Sequence, residues 1–449
     1  MPLELFLSPE KIQLFEENIP IKFFQMANRL ENSEEILSKE EFKQATLGVH
    51  IYKNGVTFCI HPAHKDVSIS YVETYQGAFS KEVILQYLKN FDDKLKNSHP
   101  DIQILATTFS FPGPIDNDVV EIPNWWATGD NHFSKRDFSN LSICQKQVNI
   151  INEIQALGHG LISTDEFYGL EDDFAPLWKP PAMDVMPTLY PLYFSSEAAA
   201  VLQIAFGLGA AFIVPIDSSD SYRVIASEWG HSQIQICGPE EAAYPEESGI
   251  VKFIRERKGA AVEWEDICSS RGLRNCYEYY LLHQQQNSPQ TSVNQANSSN
   301  NNSLNTPLST LTNSLNSNNN SNSTAINTIV DPLTEIEKDP NDPIASKALT
   351  MHFKFLMRFA RQCSVSFKCK SVFIKYSVFN GGTQCIQKHI ALCRDEFMHF
   401  TKSEWVSNVS VFVQTSNRNI SSMGVMYHAF LGLARSENDE TISISKLDQ

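Results

Sequence analysis

The sequence predicts an α/β fold with at least some parallel strand pairing. Three observations carry that expectation. Strand-like and helix-like segments alternate along most of the chain; 42% of residues are hydrophobic and 11% aromatic, which suits a packed core; and a single uncharged tract divides the alternating pattern in two. At 449 residues the chain is long enough for two or three domains of roughly 150 residues each.

Upstream of the tract, Ile12, Leu14 and Phe15, then Phe23, Phe24, Met26, Ala27 and Leu30, follow a helical apolar pattern, so residues 1–45 are expected to be a helical extension. Thr46–Tyr52 and Gly55–Ile60 read as two strands joined by Lys53-Asn54-Gly55, a hairpin signal because Asn-Gly tolerates the positive φ of a tight turn. Val67–Tyr75 is a third strand candidate. Lys81–Lys96 places Val83, Ile84, Tyr87, Leu88, Phe91 and Leu95 at helical spacing, and Asp101–Ser110 returns to a strand. Gln147–Asn152 is a short buried-type strand that runs into a helix, Glu153–Leu161. Val201–Ile216 is a mostly apolar run, and Ser248–Arg257 has helical character.

From Gln284 to Thr328 there is no Asp, Glu, Lys or Arg, and residues 287–328 contain 14 Asn and 10 Ser. Such a composition buries too little apolar surface to offset the entropy of ordering, so a disordered linker is expected. Beyond it, Ile344–Gln362 has a 3.6-residue apolar period, Lys370–Tyr376 and Val409–Gln414 read as strands, and Gly424–Ala434 as a last helix.

Charge and cysteine content exclude several classes of function. The 36 basic and 52 acidic residues give a net charge of −16, which disfavours nucleic acid or an anionic membrane as the main partner. Nine cysteines, an odd number with no C-x-x-C pair, form neither a disulfide framework nor a zinc ribbon. They read as reduced thiols. An acid near the N-terminus and Pro9 argue against a signal peptide, and no apolar stretch reaches about 18 residues. The expected location is the cytoplasm.

Three clusters could carry chemistry. Ile150-Ile151-Asn152-Glu153 delivers polar residues at the carboxyl end of a strand, the edge where open α/β sheets bind ligands. Glu153 could be a first-turn charge favoured by the helix dipole, or a general base. Ser227-Glu228-Trp229-Gly230-His231 offers a carboxylate, an open backbone and a ring donor to a small polar ligand, although Glu228 and His231 could equally pair with each other. Too few ligands stand at suitable spacing for zinc, and no metal ligands are assigned. Glu263-Trp264-Glu265-Asp266 is an acidic helix start. Phe206-Gly207-Leu208-Gly209 is a weak glycine signal with no Lys-Ser or Lys-Thr after it.

In order and spacing these segments resemble the bacterial-type glucokinase family of the actin-like hexokinase superfamily, from about Thr46 to Ala434. Ile104–Pro114 is similar to that family's strand and Pro-Gly turn, and Pro123-Asn124-Trp125-Trp126 to its Asn-containing segment. Ile150–Glu153 resembles Ile-Ile-Asn-Asp, Ser227–His231 resembles Gly-Glu-Gly-Gly-His, and Glu265–Leu273 resembles Glu-Arg-x-Leu-Ser-Gly-x-Gly-Leu.

The resemblance implies a two-lobed fold with ribonuclease-H-like lobes and a ligand cleft between them. Its expected parts are a smaller lobe over 46–152, a larger one over 153–283 and 329–423, an insertion over 284–328, a returning helix over 424–435 and a tail over 436–449. It implies that Asn124, Asn152, Glu228, His231 and Glu265 hold D-glucose or a related hexose. It also implies that Glu153, in the place of the family's Asp, is the base for the 6-hydroxyl. Gly207 and Gly209 would face ATP, with Mg2+ as its companion, and a homodimer is one assembly the resemblance allows.

The departures lie on the nucleotide side. Asp-x-Gly-Gly-Thr becomes Val49-His50-Ile51-Tyr52-Lys53; Gly-Thr-Gly-Leu-Gly becomes Ala205–Gly209 with Phe206 for the hydroxyl; and Ala-Gly-Gly becomes about Lys375-Tyr376-Ser377, filling a nucleotide's space. The expectation is therefore a hexose-binding protein that is weakly active or non-catalytic, with an active ATP-dependent glucokinase as the alternative.

Overall fold

A computed structural model describes residues 37, 39–52, 55–63, 71–77, 80–122, 130–167, 169–180, 197–216, 221–234, 236, 242–287 and 331–447. The expected helices before residue 37, the Asn124 segment and residues 288–328 of the polar tract lie outside these.

The first sheet grows from β1 (Gln44–Tyr52), which is buried along nearly its whole length because it is central. It pairs antiparallel with β2 (Gly55–Pro62) in the register Tyr52↔Gly55, so the connection is residues 53–54 and Gly55, expected in the turn, is instead the first paired residue of β2. β3 (Tyr71–Gln76) adds antiparallel to β2. On the other side of β1 lie β4 (Gln103–Phe111) and then β8 (Gln147–Asn152), both parallel. The order is β3-β2-β1-β4-β8. A small hairpin sheet of β5 (Ile115–Asp116), β6 (Val119–Glu121) and β7 (His132–Ser134) follows β4. Helix α1 (Lys81–Ser98) covers one face through Ile84, Leu88, Phe91 and Leu95, the predicted apolar stripe.

The second sheet repeats that plan. β10 (Ala199–Ile204) is its centre, with β11 (Leu208–Ile216) and β12 (Ser221–Ser227) antiparallel on one side. β13 (Ser371–Tyr376) and β14 (Ser410–Gln414) run parallel on the other, and β9 (Phe174–Trp178) closes the edge. The apolar run Val201–Ile216 is thus a hairpin turning at residues 205–207, not one element. Its largest covering helix is α7 (Pro343–Phe367), begun by Asp342, whose carboxylate accepts from Ile344 and Ala345 N–H. Around it lie α3 (Pro245–Lys258), the short α4 (Glu265–Cys268), α5 (Ser270–Asn287), α6 (Pro332–Lys338), α8 (Gly382–Lys388), α9 (Ile390–Met398) and α10 (Ser403–Val406).

Two boundaries differ from expectation. The uncharged tract begins inside α5, because a helix already nucleated and packed through Leu273 and Cys276 extends over Gln284–Asn287 without needing charges. The last helix, α11, runs from Ile420 to Leu447 and takes in most of the expected tail.

Between the sheets lie α2 (Glu153–Phe167) and α11. They touch at backbone distance: a Cβ on Gly424 would stand 1.8 Å from Ala156 O, and one on Gly160 would stand 2.0 Å from Ile420 O. Helix α11 also packs on β1, β2 and β4, while α2 packs on β10, β11 and β12, so this pair joins the two sheets. Among the described residues no helix is long and apolar enough to cross a membrane. The eight described cysteines are unpaired and buried.

Candidate functional site

Glu153 stands where β8 ends and α2 begins. Asn152 builds that corner: its Oδ1 accepts from Ile154 N–H at 2.8 Å, capping the helix, and its Nδ2 donates to Gly113 O at 2.6 Å, tying it to the Pro-Gly turn after β4. In this geometry Asn152 is occupied by the backbone on both sides.

The Glu153 carboxylate is 18% exposed and accepts from Gln203 Nε2, on β10, at 2.7 Å. Burial raises its pKa above the ordinary carboxylate value; the Lys375 charge and the Gln203 hydrogen bond oppose that rise. His50 Nε2 lies 4.0 Å from Glu153 Oε1, while its Nδ1 is 2.8 Å from Ser110 Oγ. The imidazole is 3% exposed. Burial, then the nearby Lys375 charge, lowers its pKa to about 3, so it is neutral at physiological pH. Lys375, from β13, lines the same cleft; burial lowers its pKa below the ordinary lysine value, and the Glu153 charge only partly opposes that fall. Its ammonium donates to Ser421 Oγ at 3.3 Å.

The cleft that these groups line encloses about 640 Å³, ordinary for a small-molecule site, and continues along residues 376–384 and 414–419. Lys375-Tyr376-Ser377 therefore do not fill it. Tyr376 is 4% exposed, and its ring packs among His352, Phe353 and Phe379. Gly381, Gly382 and Thr383 stand at the cleft wall, six residues beyond the segment 375–377 that the resemblance compared with Ala-Gly-Gly.

A second group gathers at the start of β11. Glu265 Oε2 accepts from Leu208 N–H at 3.0 Å and its Oε1 accepts from Arg271 Nη2 at 2.8 Å. Gly230 packs on the same residue, since a Cβ there would meet Leu208 O at 2.2 Å. Leu208 thus joins the 228–231 turn to helix α4. His231 Nδ1 is 3.1 Å from Glu263 Oε2, and its Nε2 is 3.9 Å from Glu228 Oε2. Burial disfavours the imidazolium, but the Glu263 hydrogen bond and the charges of Glu265, Glu263 and Glu228 outweigh it and raise the His231 pKa. Glu228 and His231 remain about half exposed, at 55% and 45%, and open to a ligand.

The structure thus brings Glu228, His231 and Glu265 together and sets Glu153 beside Gln203, which pairs with Gly209 across the hairpin. Gly207 faces Glu265 Oε2, at 2.8 Å from an added Cβ, and Gly209 packs on Ile154 at 3.4 Å; neither lines the Glu153 cleft. Asn124 lies outside the described residues.

Three residues of the site were missed: His50, Gln203 and Lys375. Lys375 carried a signal, being a charge inside the apolar strand Val372–Tyr376. Motif matching placed Val49 where the family has its acid, whereas strand alternation turns Val49 into the core and His50 toward Glu153.

The resemblance implies Mg2+ and ATP. Mg2+ prefers a near-octahedral set of oxygen ligands. Here one carboxylate, one neutral imidazole and one ammonium converge, and no group of three or more potential metal-ligating side chains occurs among the described residues. That set offers Mg2+ one carboxylate, Glu153, with the phosphates of a nucleotide and water left to complete the shell. A nucleotide fits the cleft by size, with Lys375 as the cation nearest Glu153.

Comparison with known proteins accords with this arrangement. The glucokinase family model matches residues 56–375, including all the segments around Glu153, His231 and Glu265. Probable glucokinase 2 of Trichomonas vaginalis is 24% identical over 352 residues, 77% of this chain and 82% of its own length. Glucokinase 1 of the same organism is 23% identical over 395 residues, 85% of this chain and 92% of its own. Among solved structures, glucokinase from Balamuthia mandrillaris in complex with glucose superposes with TM-score 0.68 at 21% identity, covering 94% of this chain and 99% of that one. The Leishmania braziliensis glucokinase gives TM-score 0.61 at 15% identity, covering 89% and 98%. The two repeated sheets flanking the α2–α11 pair are those of the two-lobed actin-like hexokinase fold, and the chain belongs to the glucokinase family.

Proposed function

We propose that the chain binds D-glucose or a closely related hexose between Glu153 and the group of Glu228, His231 and Glu265, with phosphoryl transfer weak or absent. Glu228, His231 and Glu265 supply acceptors and a ring donor suited to a polyol, and Glu153 stands as the base for the sugar's reacting hydroxyl. The observation that carries the reading is His50: the strand compared with the family's Asp-containing phosphate loop sets a buried neutral imidazole, and no acid, beside Glu153. Phe206, in place of the hydroxyl of the second phosphate loop, supports it.

ATP-dependent glucose phosphorylation is the second reading. It is favoured by the cleft of about 640 Å³ that opens onto Glu153, and by the upward pKa shift that burial imposes on this carboxylate. ATP would supply the transferable phosphoryl group; Glu153 would accept the hydroxyl proton.

Calorimetry on the full chain separates the two readings. Glucose should give saturable heat, and Mg-ATP little. Tight Mg-ATP binding with formation of glucose 6-phosphate would overturn the first reading, and Glu153→Gln should then lower turnover by about 100-fold or more with glucose affinity nearly unchanged. Absence of glucose binding would overturn both.

A further inference from the structure

Lys375 is a cation that the family resemblance does not account for. It occupies the segment compared above with Ala-Gly-Gly, on the central parallel strand β13, and lines the cleft with Glu153 and His50. An ammonium has three N–H donors. Among the described residues its single hydrogen bond is to Ser421 Oγ, at the long distance of 3.3 Å, and no carboxylate lies within 4.0 Å of it. Glu153 takes its close hydrogen bond from Gln203 instead. The lysine is therefore held in the cleft without being consumed by a structural ion pair. In a partly dry cleft such a charge favours an anion with several acceptor oxygens.

We infer that Lys375 forms a phosphate-binding subsite that works without a divalent cation, holding a phosphate monoester or the terminal phosphate of a polyphosphate next to Glu153. The inference rests on the reading that the sugar's reacting hydroxyl lies at Glu153. Two sources share that chemistry: the phosphate of a hexose 6-phosphate, entering from the sugar side, and the end of a nucleotide triphosphate, entering along residues 376–384. Lys375 supplies there the positive charge that a metal ion would otherwise bring to the phosphate.

The test is calorimetry, in EDTA and again with Mg2+, on the full-length wild type, Lys375→Met and Lys375→Arg, titrating glucose, glucose 6-phosphate, ATP and inorganic phosphate separately. In the wild type at least one phosphorylated ligand should bind without metal. Lys375→Met should weaken it by about tenfold or more, while Lys375→Arg holds it within a few-fold and glucose affinity stays within about twofold in all three. Preference for glucose 6-phosphate or for ATP identifies the source, and either supports the subsite. Equal phosphate affinity in wild type and Lys375→Met would overturn it, as would binding that appears only with Mg2+. So would a Lys375→Met defect confined to glucose, the mark of a mere counter-ion for Glu153. If Lys375→Met does not fold, Lys375→Arg decides, since loss of anion binding in a variant that still binds glucose overturns the proposal. Failure of glucose to bind the wild type tells against the proposed function, whereas failure of the phosphorylated ligands alone tells against Lys375.

Discussion

Gly424→Ala places one methyl group where helices α2 and α11 cross. The added Cβ would stand 1.8 Å from Ala156 O, 2.4 Å from Gly160 N and 2.8 Å from Ala156 C, all of them backbone atoms that no rotamer change can move aside. Relief needs the helices to part by about an ångström, and forced core expansion of this kind costs about 1–3 kcal/mol or more. In a chain of 449 residues each kcal/mol lowers Tm by only about 1 °C, so a fall of about 1–3 °C or more is expected. The movement is not confined to the core. Glu153 is the first residue of α2, and Ser421, which holds Lys375, is on the first turn of α11, so parting the helices shifts both groups in the cleft. Thermal unfolding followed by circular dichroism, with glucose calorimetry on the folded protein, reads both effects. Ser366→Ala, which removes only an exposed hydroxyl bonded to Gln362 O, is the control and should stay within about 0.5 kcal/mol of wild type. A Gly424→Ala protein that melts at the wild-type temperature and binds glucose equally well would refute the backbone-contact account of how the lobes are joined.

Two further outcomes follow from the sugar-side group. Glu265→Ala leaves the Leu208 N–H without its acceptor, a loss of about 1–3 kcal/mol, whereas Glu265→Gln keeps that acceptor but gives up the Arg271 contact, so it should melt between Glu265→Ala and wild type while binding glucose more weakly; equal melting of the two variants would exclude the structural half of that role. His231 has a raised folded-state pKa, so the stability its imidazolium contributes is fully present below its unfolded value near 6.5 and is lost as pH rises through the folded value. The Tm difference between wild type and His231→Ala should accordingly be larger at pH 6 than at pH 8.5, and a pH-independent difference would show that the surrounding acids do not hold its proton.

Much of the site was legible where local pattern and chemistry coincide. Gln147–Asn152 is apolar enough to be a buried strand, and Glu153 begins the helix that follows, so an acid at a strand's carboxyl end could be named from sequence. The 228–231 turn and Glu265 were readable as polar groups in turns, although nothing local says that both meet at Leu208. His50 was missed by one residue, and in a strand one residue exchanges core for cleft. The helix over Gln284–Asn287 was missed because composition reports what a segment can bury by itself, not that it continues a packed helix.

The sequence by itself determined the α/β class and most strand and helix positions, because periodicity and turn chemistry are short-range properties. Only the tertiary structure decided that β13 sets Lys375 in the cleft with Glu153, and that His50 is the neutral group beside that carboxylate. It alone showed a cleft where bulky residues were expected to close one. Those facts depend on which strands are neighbours and which face each side chain takes, and parallel pairing between β10 and β13 joins residues some 170 positions apart that no local pattern relates.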